Sequence, residues 1–64
     1  MNHYFEIVVP LKEAHLMIDR VESEGWKVKD YIANGNGSRQ IRMIVSIPIV
    51  DTNYFRLTFG EYMI

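Results

Sequence analysis

Hydrophobic and polar positions change period at Gly25-Trp26. Before that point Leu11, Ala14, Met17, Ile18 and Val21 recur at helical spacing and fall within about a third of the helical circle. Glu13, Arg20 and Glu24 take the opposite side, and Leu16 is the one apolar residue that points away from the stripe. The pattern predicts an amphipathic helix over residues 11–24. Gly25 follows it as the residue best able to take the left-handed backbone that closes a helix. After Gly25 the chain alternates in the manner of strands.

Residues 3–9 read as a first strand, with Phe5, Ile7 and Val9 on one face and Tyr4, Glu6 and Val8 on the other. Pro10 ends it and suits the first turn of the next helix. Residues 26–33 read as a second strand with Trp26, Val28 and Ile32 toward the helix. That register also buries Asp30, a costly place for a lone carboxylate, so a bulge or a rim position is expected there. Asn34-Gly35-Asn36-Gly37-Ser38 predicts a tight hairpin turn. Residues 41–50 form the third strand, and Pro48 is expected at an edge or bulge because it lacks a ladder donor. Asp51-Thr52-Asn53 reads as a turn. Residues 54–59 read as a fourth strand with Phe55, Leu57 and Phe59 inward and Tyr54, Arg56 and Thr58 outward. Tyr62-Met63-Ile64 is expected to be a packed tail. The sum is a single α+β domain over residues 1–64: one helix on one face of a mainly antiparallel three- to four-stranded sheet, in the order β-α-β-β-β. No internal repeat is legible.

Composition sharpens this picture. A chain of 64 residues without cysteine has a thin core and no disulfide to brace it. Oligomerisation is one remedy, so a homodimer is expected. The net charge of -1 gives no overall attraction to nucleic acid or anionic membrane. It is unevenly placed: residues 1–24 hold two basic and five acidic side chains, net -3, and residues 25–64 hold five basic and three acidic, net +2. No apolar run reaches the ~20 residues of a membrane span. The start Met1-Asn2-His3-Tyr4 lacks the basic-then-apolar pattern of a signal peptide. A cytoplasmic location is expected, the host cytoplasm if the chain is viral.

At Glu24-Gly25-Trp26-Lys27-Val28 the chain resembles a family of small bacterial and phage domains of unknown function. Their pattern is a Tyr-containing strand, a helix, a Glu-Gly-Trp turn, a hydrophobic strand, a Gly/Asn-rich turn and another strand. It maps here onto residues 3–47, through Tyr4-Phe5-Glu6-Ile7-Val8, the 11–24 helix, Glu24-Gly25-Trp26 and Asn34-Gly35-Asn36-Gly37. The helix departs from the family's Leu-rich run, reading Met17-Ile18-Asp19-Arg20-Val21-Glu22-Ser23. The resemblance implies a fold and transfers no catalytic residue.

Side chains that could carry chemistry are few. His3 and His15 lack the spacing of a metal site, and His15 with Asp19 is a surface i,i+4 pair. The carboxylates Glu6, Glu13, Glu22, Glu24 and Asp30 are not forced into one cleft, and no serine has a recognisable base. The expectation is a non-enzymatic chain with no cofactor and no metal. Trp26 is expected as a core anchor beneath the helix end, against Val21 and Ile18. The constellation that stands out is an outward row of Tyr31, Arg42, Ile44, Tyr54 and Arg56, because Tyr and Arg concentrate in interface hot spots. It points to a protein-binding module, an inhibitor or accessory subunit of bacterial or phage origin, acting through its sheet face. The same mixture could stack bases, so a nucleic-acid surface is the alternative.

Overall fold

The computed structural model describes residues 1–33 and 39–63; the expected hairpin turn at 34–38 lies outside the described residues, as does Ile64. Strand β1 spans Asn2–Pro10, a 3₁₀ turn Leu11–Glu13 leads into helix α1 at Ala14–Ser23, and β2 spans Lys27–Ala33. Strand β3 spans Gln40–Pro48, a second 3₁₀ turn covers Ile49–Asp51, helix α2 covers Thr52–Phe59, and a last 3₁₀ turn is Gly60–Tyr62. The sheet is antiparallel, in the order β1-β3-β2.

The architecture is α+β, but the expected fourth strand is a helix. Three strands are flanked by two separate helices in place of a single helix. The burial of residues 54–59 shows why. Phe55 and Phe59 are buried, whereas Leu57 between them is 86% exposed. An i,i+4 pair shares one face of a helix, and a strand would have put all three residues together. Six residues with four aromatic or aliphatic side chains fit both periods on paper; the core selects the helical one. Both helices feed one apolar cluster with the odd-numbered residues of the strands: Ala14, Met17 and Val21 from α1, Phe55 and Phe59 from α2, Ile7 and Val9 from β1, and Met43, Val45 and Ile47 from β3. Leu11, expected in the helical stripe, sits in the 3₁₀ turn before α1 and is exposed.

The two halves of the chain repeat each other, which the sequence conceals. Aligning Pro10 with Pro48 matches the bounds of β1 to β3, of one 3₁₀ turn to the other, and the start of α1 to that of α2. The backbone agrees closely: Pro10 has φ -58 and ψ 138, and Pro48 has φ -56 and ψ 141. Glu13 and Asp51, at the equivalent helix entries, have φ -102 and -97. Under this alignment Glu6 corresponds to Ile44, and these two residues are themselves partners in the ladder. An approximate two-fold axis therefore passes between them. The element order is that of the first five members of the split β-α-β motif.

Ladder geometry also explains both prolines. Leu11 N–H donates to Arg39 O at 2.6 Å and Ile49 N–H to Met1 O at 3.4 Å, so the odd-numbered pairs of β1 and β3 are the hydrogen-bonded ones. Pro10, even-numbered, would direct its N–H away from β3. Pro48 is even-numbered too and would direct its N–H to the β2 side. It needs neither an edge strand nor a bulge: β3 is central, and β2 begins at the Lys27–Ser46 pair, short of Pro48.

The turn out of α1 is a Schellman motif. Gly25 has φ +84, its N–H donates to Glu22 O at 2.9 Å, and Trp26 N–H donates to Val21 O at 3.3 Å. The motif places Trp26 in the core as expected, 3% exposed. Its ring meets α2: edge-on contacts reach Phe55 at 5.5 Å, Tyr54 at 5.8 Å and Phe59 at 5.9 Å between centroids. The indole N–H donates to Asp51 Oδ2 at 3.0 Å. Trp26→Ala is expected to cost about 3–5 kcal/mol in urea unfolding followed by circular dichroism. Gly25→Ala should cost about 1–2 kcal/mol, because an added Cβ meets no atom and only the left-handed backbone resists it.

Candidate binding face

The even-numbered residues of β1 and β3 face away from the helices. Directly opposed residues share a face, so the strand register assembles this surface row by row. Tyr4, Ser46 and Lys27 form one row, Glu6, Ile44 and Asp30 the next, and Val8, Arg42 and Ile32 the third. Ser46 is buried and accepts a hydrogen bond from Asn2 Nδ2 at 3.0 Å. Tyr4 is 62% and Ile32 52% exposed, while Ile44 on the central strand is only half-buried. A central-strand isoleucine remains part-exposed because neither described helix covers this side.

A bulge between Val28 and Asp30 sets the third column. It answers the expectation of a bulge or rim position at Asp30, and it turns the carboxylate out of the core to stand opposite Ile44. The extra residue, Lys29, reverses the alternation that follows. Ile32, expected toward the helices, therefore joins the outer face opposite Arg42. Tyr31 moves the other way, opposite the core residue Met43, and stays 60% exposed at the far part of β2. The bulge expected from Asp30 was the available signal for both shifts.

The structure does not bring the expected row together. Arg42 and Ile44 lie on the outer face. Tyr54 and Arg56 lie on α2, on the helix side of the sheet. The Tyr54 hydroxyl donates to Glu24 Oε2 at 2.8 Å, and the Arg56 guanidinium lies 5.6 Å from the Phe5 ring centre. Arg20 covers Phe59 in a similar way at 4.8 Å. These two arginines cap a ring cluster in which Phe55 stacks on Phe5 at 5.1 Å and on Phe59 at 5.2 Å.

Charge on the outer face is balanced. Glu6 and Asp30 oppose Arg42 and Lys27. Arg42 Nη1 lies 3.6 Å from Glu6 Oε1, with both side chains about two-fifths exposed, a pair worth ~1 kcal/mol at most. The Arg42 Nε is buried without a hydrogen-bond partner, so this guanidinium retains donor capacity. The carboxylates stand on either side of Ile44, and the guanidinium stands between Val8 and Ile32.

Elsewhere the chemistry is sparse. An open cavity of about 350 Å³ is lined by Pro10, Leu11, Lys12 and Arg39. Among the described residues no group of three or more His, Cys, Asp or Glu side chains could hold a metal ion. No described helix is long and apolar enough to cross a membrane. No family model, curated protein or solved structure matches the chain.

Tyr54 is held above the usual tyrosine pKa, first by donating its hydrogen bond to Glu24 and then by the charge of that carboxylate, which opposes the phenolate. The contact therefore favours the folded state at neutral pH and is lost as pH rises through the raised value. Glu24→Gln should bring the Tyr54 transition down toward that of an ordinary tyrosine in an ultraviolet absorbance titration.

Proposed function

We propose that this chain is a non-enzymatic protein-binding module whose contact surface is the outer sheet face centred on Ile44. The observation that carries the reading is the half-buried Ile44 on an uncovered central strand, between the carboxylates of Glu6 and Asp30. Val8, Ile32 and Tyr4 extend the apolar area around it. Such a surface suits a protein partner presenting an apolar side chain edged by basic groups. It suits a polyanion poorly. Two carboxylates at the centre repel phosphates, and the two cations of the face are matched by them. Affinity for nucleic acid depends on a surplus of positive charge, so the alternative reading loses ground. An inhibitor or accessory subunit of bacterial or phage origin, working in the cytoplasm of its cell, is the role that fits a module of this size.

Ile44→Glu tests the reading. The side chain points away from the core, so Trp26 fluorescence and circular dichroism should be unchanged. Binding to a protein retained from bacterial lysate on the immobilised chain should weaken by roughly 2 kcal/mol or more in calorimetry, the scale of a central hot spot. Tyr54→Ala, on the helix side, should leave that affinity unchanged. A fluorescent single-stranded oligonucleotide should show no saturable anisotropy change at about 0.15 M salt. Tight oligonucleotide binding with a steep salt slope, abolished by Arg42→Glu, would decide for nucleic acid instead.

A further inference from the structure

The outer face carries its chemistry in the shape of a cross. Along the central row Ile44 stands between the carboxylates of Glu6 and Asp30; along β3 it stands between Ser46 and Arg42. The corners are Tyr4 and Ile32 on one diagonal, Lys27 and Val8 on the other. Opposed residues lie about 5 Å apart and same-face neighbours on one strand about 7 Å apart. The two arms are thus close in length. A second face laid across the first at nearly a right angle can set its acidic arm along the arm of Ser46 and Arg42.

Two groups of the cross have capacity that the chain itself does not use. Arg42 Nε is buried and bonds nothing, although Nη1 of the same guanidinium lies near Glu6. Asp30 holds no ion pair among the described residues; its Oδ1 accepts the Tyr31 N–H at 2.8 Å, which leaves the second oxygen for a cation.

We propose that two copies of this chain pack outer face to outer face with their strands crossed, about a two-fold axis along the Tyr4–Ile44–Ile32 diagonal. The inference rests on the proposed binding face and names a second copy as its partner. Under this axis Tyr4, Ile44 and Ile32 each meet their own equivalents. Asp30 meets Arg42 of the second copy, twice by symmetry. Glu6 meets the neutral Ser46, and the aliphatic stem of Lys27 lies along Val8. No like charges are opposed. The other two-fold arrangements of this face fail that condition. An axis along the strands sets Glu6 against Asp30, and one across them sets each carboxylate against itself. An axis on the other diagonal sets Lys27 against itself and gives Asp30 only Ser46. Crossed layers near a right angle are one of the two ways in which sheets stack. Charge complementarity therefore selects both the occupant and the crossing, and the two-fold closes the assembly as a dimer.

An exchange of charges between chains is the test. Sedimentation equilibrium up to roughly 1 mM, a range suited to so small a contact, should show twice the 7.5 kDa chain for the wild type. Asp30→Arg and Arg42→Glu should each raise the dimer dissociation constant at least ~10-fold, because each sets like charges together. Mixed in equal amounts, the two variants should form a heterodimer at least ~10-fold tighter than either alone, since both contacts between positions 30 and 42 then join opposite charges. Nuclear magnetic resonance of the wild type supplies a reading that needs no variant. On dilution the methyl signals of Ile32 and Ile44 should shift, while those of the core residues Ile7 and Ile47 stay in place. A wild-type monomer across the whole range would overturn the proposal. So would a dimer that both charge variants retain, a mixture no tighter than its parts, or a dimer whose Ile44 methyl signals ignore dilution. If the wild type is monomeric and Ile44→Glu still weakens binding of the lysate protein, the binding face stands and this inference alone falls.

Discussion

Trp26 joins parts of the chain that would otherwise have separate reasons to fold. Its main-chain N–H closes the end of α1 at Val21. Its ring packs among Tyr54, Phe55 and Phe59 of α2, and its indole N–H reaches Asp51 at the entry of that helix. Strand β2 begins at the next residue. One side chain thus fixes the second helix relative to the first and sets where β2 enters the sheet. The left-handed Gly25 is the condition for this, since the Schellman turn aims the indole inward. In so small a core, a ring of this size supplies an outsized share of the buried apolar area.

Around that anchor the sheet is organised by its central strand. β3 has partners on both sides and supplies Met43, Val45 and Ile47 to the core. The approximate two-fold between Glu6 and Ile44 makes β1-α1 and β3-α2 variations on one unit: strand, proline, 3₁₀ turn, helix. Proline serves this unit twice because its fixed φ turns the chain out of the sheet where the ladder loses no donor. The symmetry breaks at the sheet edges, where β3 is covered by β2 and β1, among the described residues, meets Met63.

The faces that result differ in chemistry. The helix side is aromatic and closed, with Arg20 and Arg56 laid over its rings. The outer side is open, with an isoleucine between two carboxylates and a guanidinium between two aliphatic residues. Mixed polarity with no surplus of charge is the character of a surface that meets other proteins, and it carries the proposed function.

Much of this was written in local pattern. The α1 stripe of Ala14, Met17 and Val21, the Gly25 turn, the burial of Trp26, the alternation of β1 and β3 and the irregularity at Asp30 each follow from a few neighbouring residues and their period. The remainder depended on contacts between distant segments. Residues 54–59 satisfy a strand pattern as well as a helical one, and only the rings of Phe5 and Trp26, waiting for Phe55 and Phe59, select the helix. That choice removed Tyr54 and Arg56 from the sheet and left Arg42 and Ile44 as the members of the expected row that the outer face holds. The bulge at Lys29 then exchanged Tyr31 for Ile32; Asp30 signalled an irregularity there, and strand pairing fixed which residue is the extra one. The internal repeat went unseen because symmetry of the backbone requires equivalent sizes and periods, such as Met17 with Phe55 or Val21 with Phe59, and not equivalent residues. Local sequence determined which segments bury an apolar side; tertiary packing decided which elements they become and which face they leave open, because helix and strand periods diverge too little over six residues for the chain to choose alone.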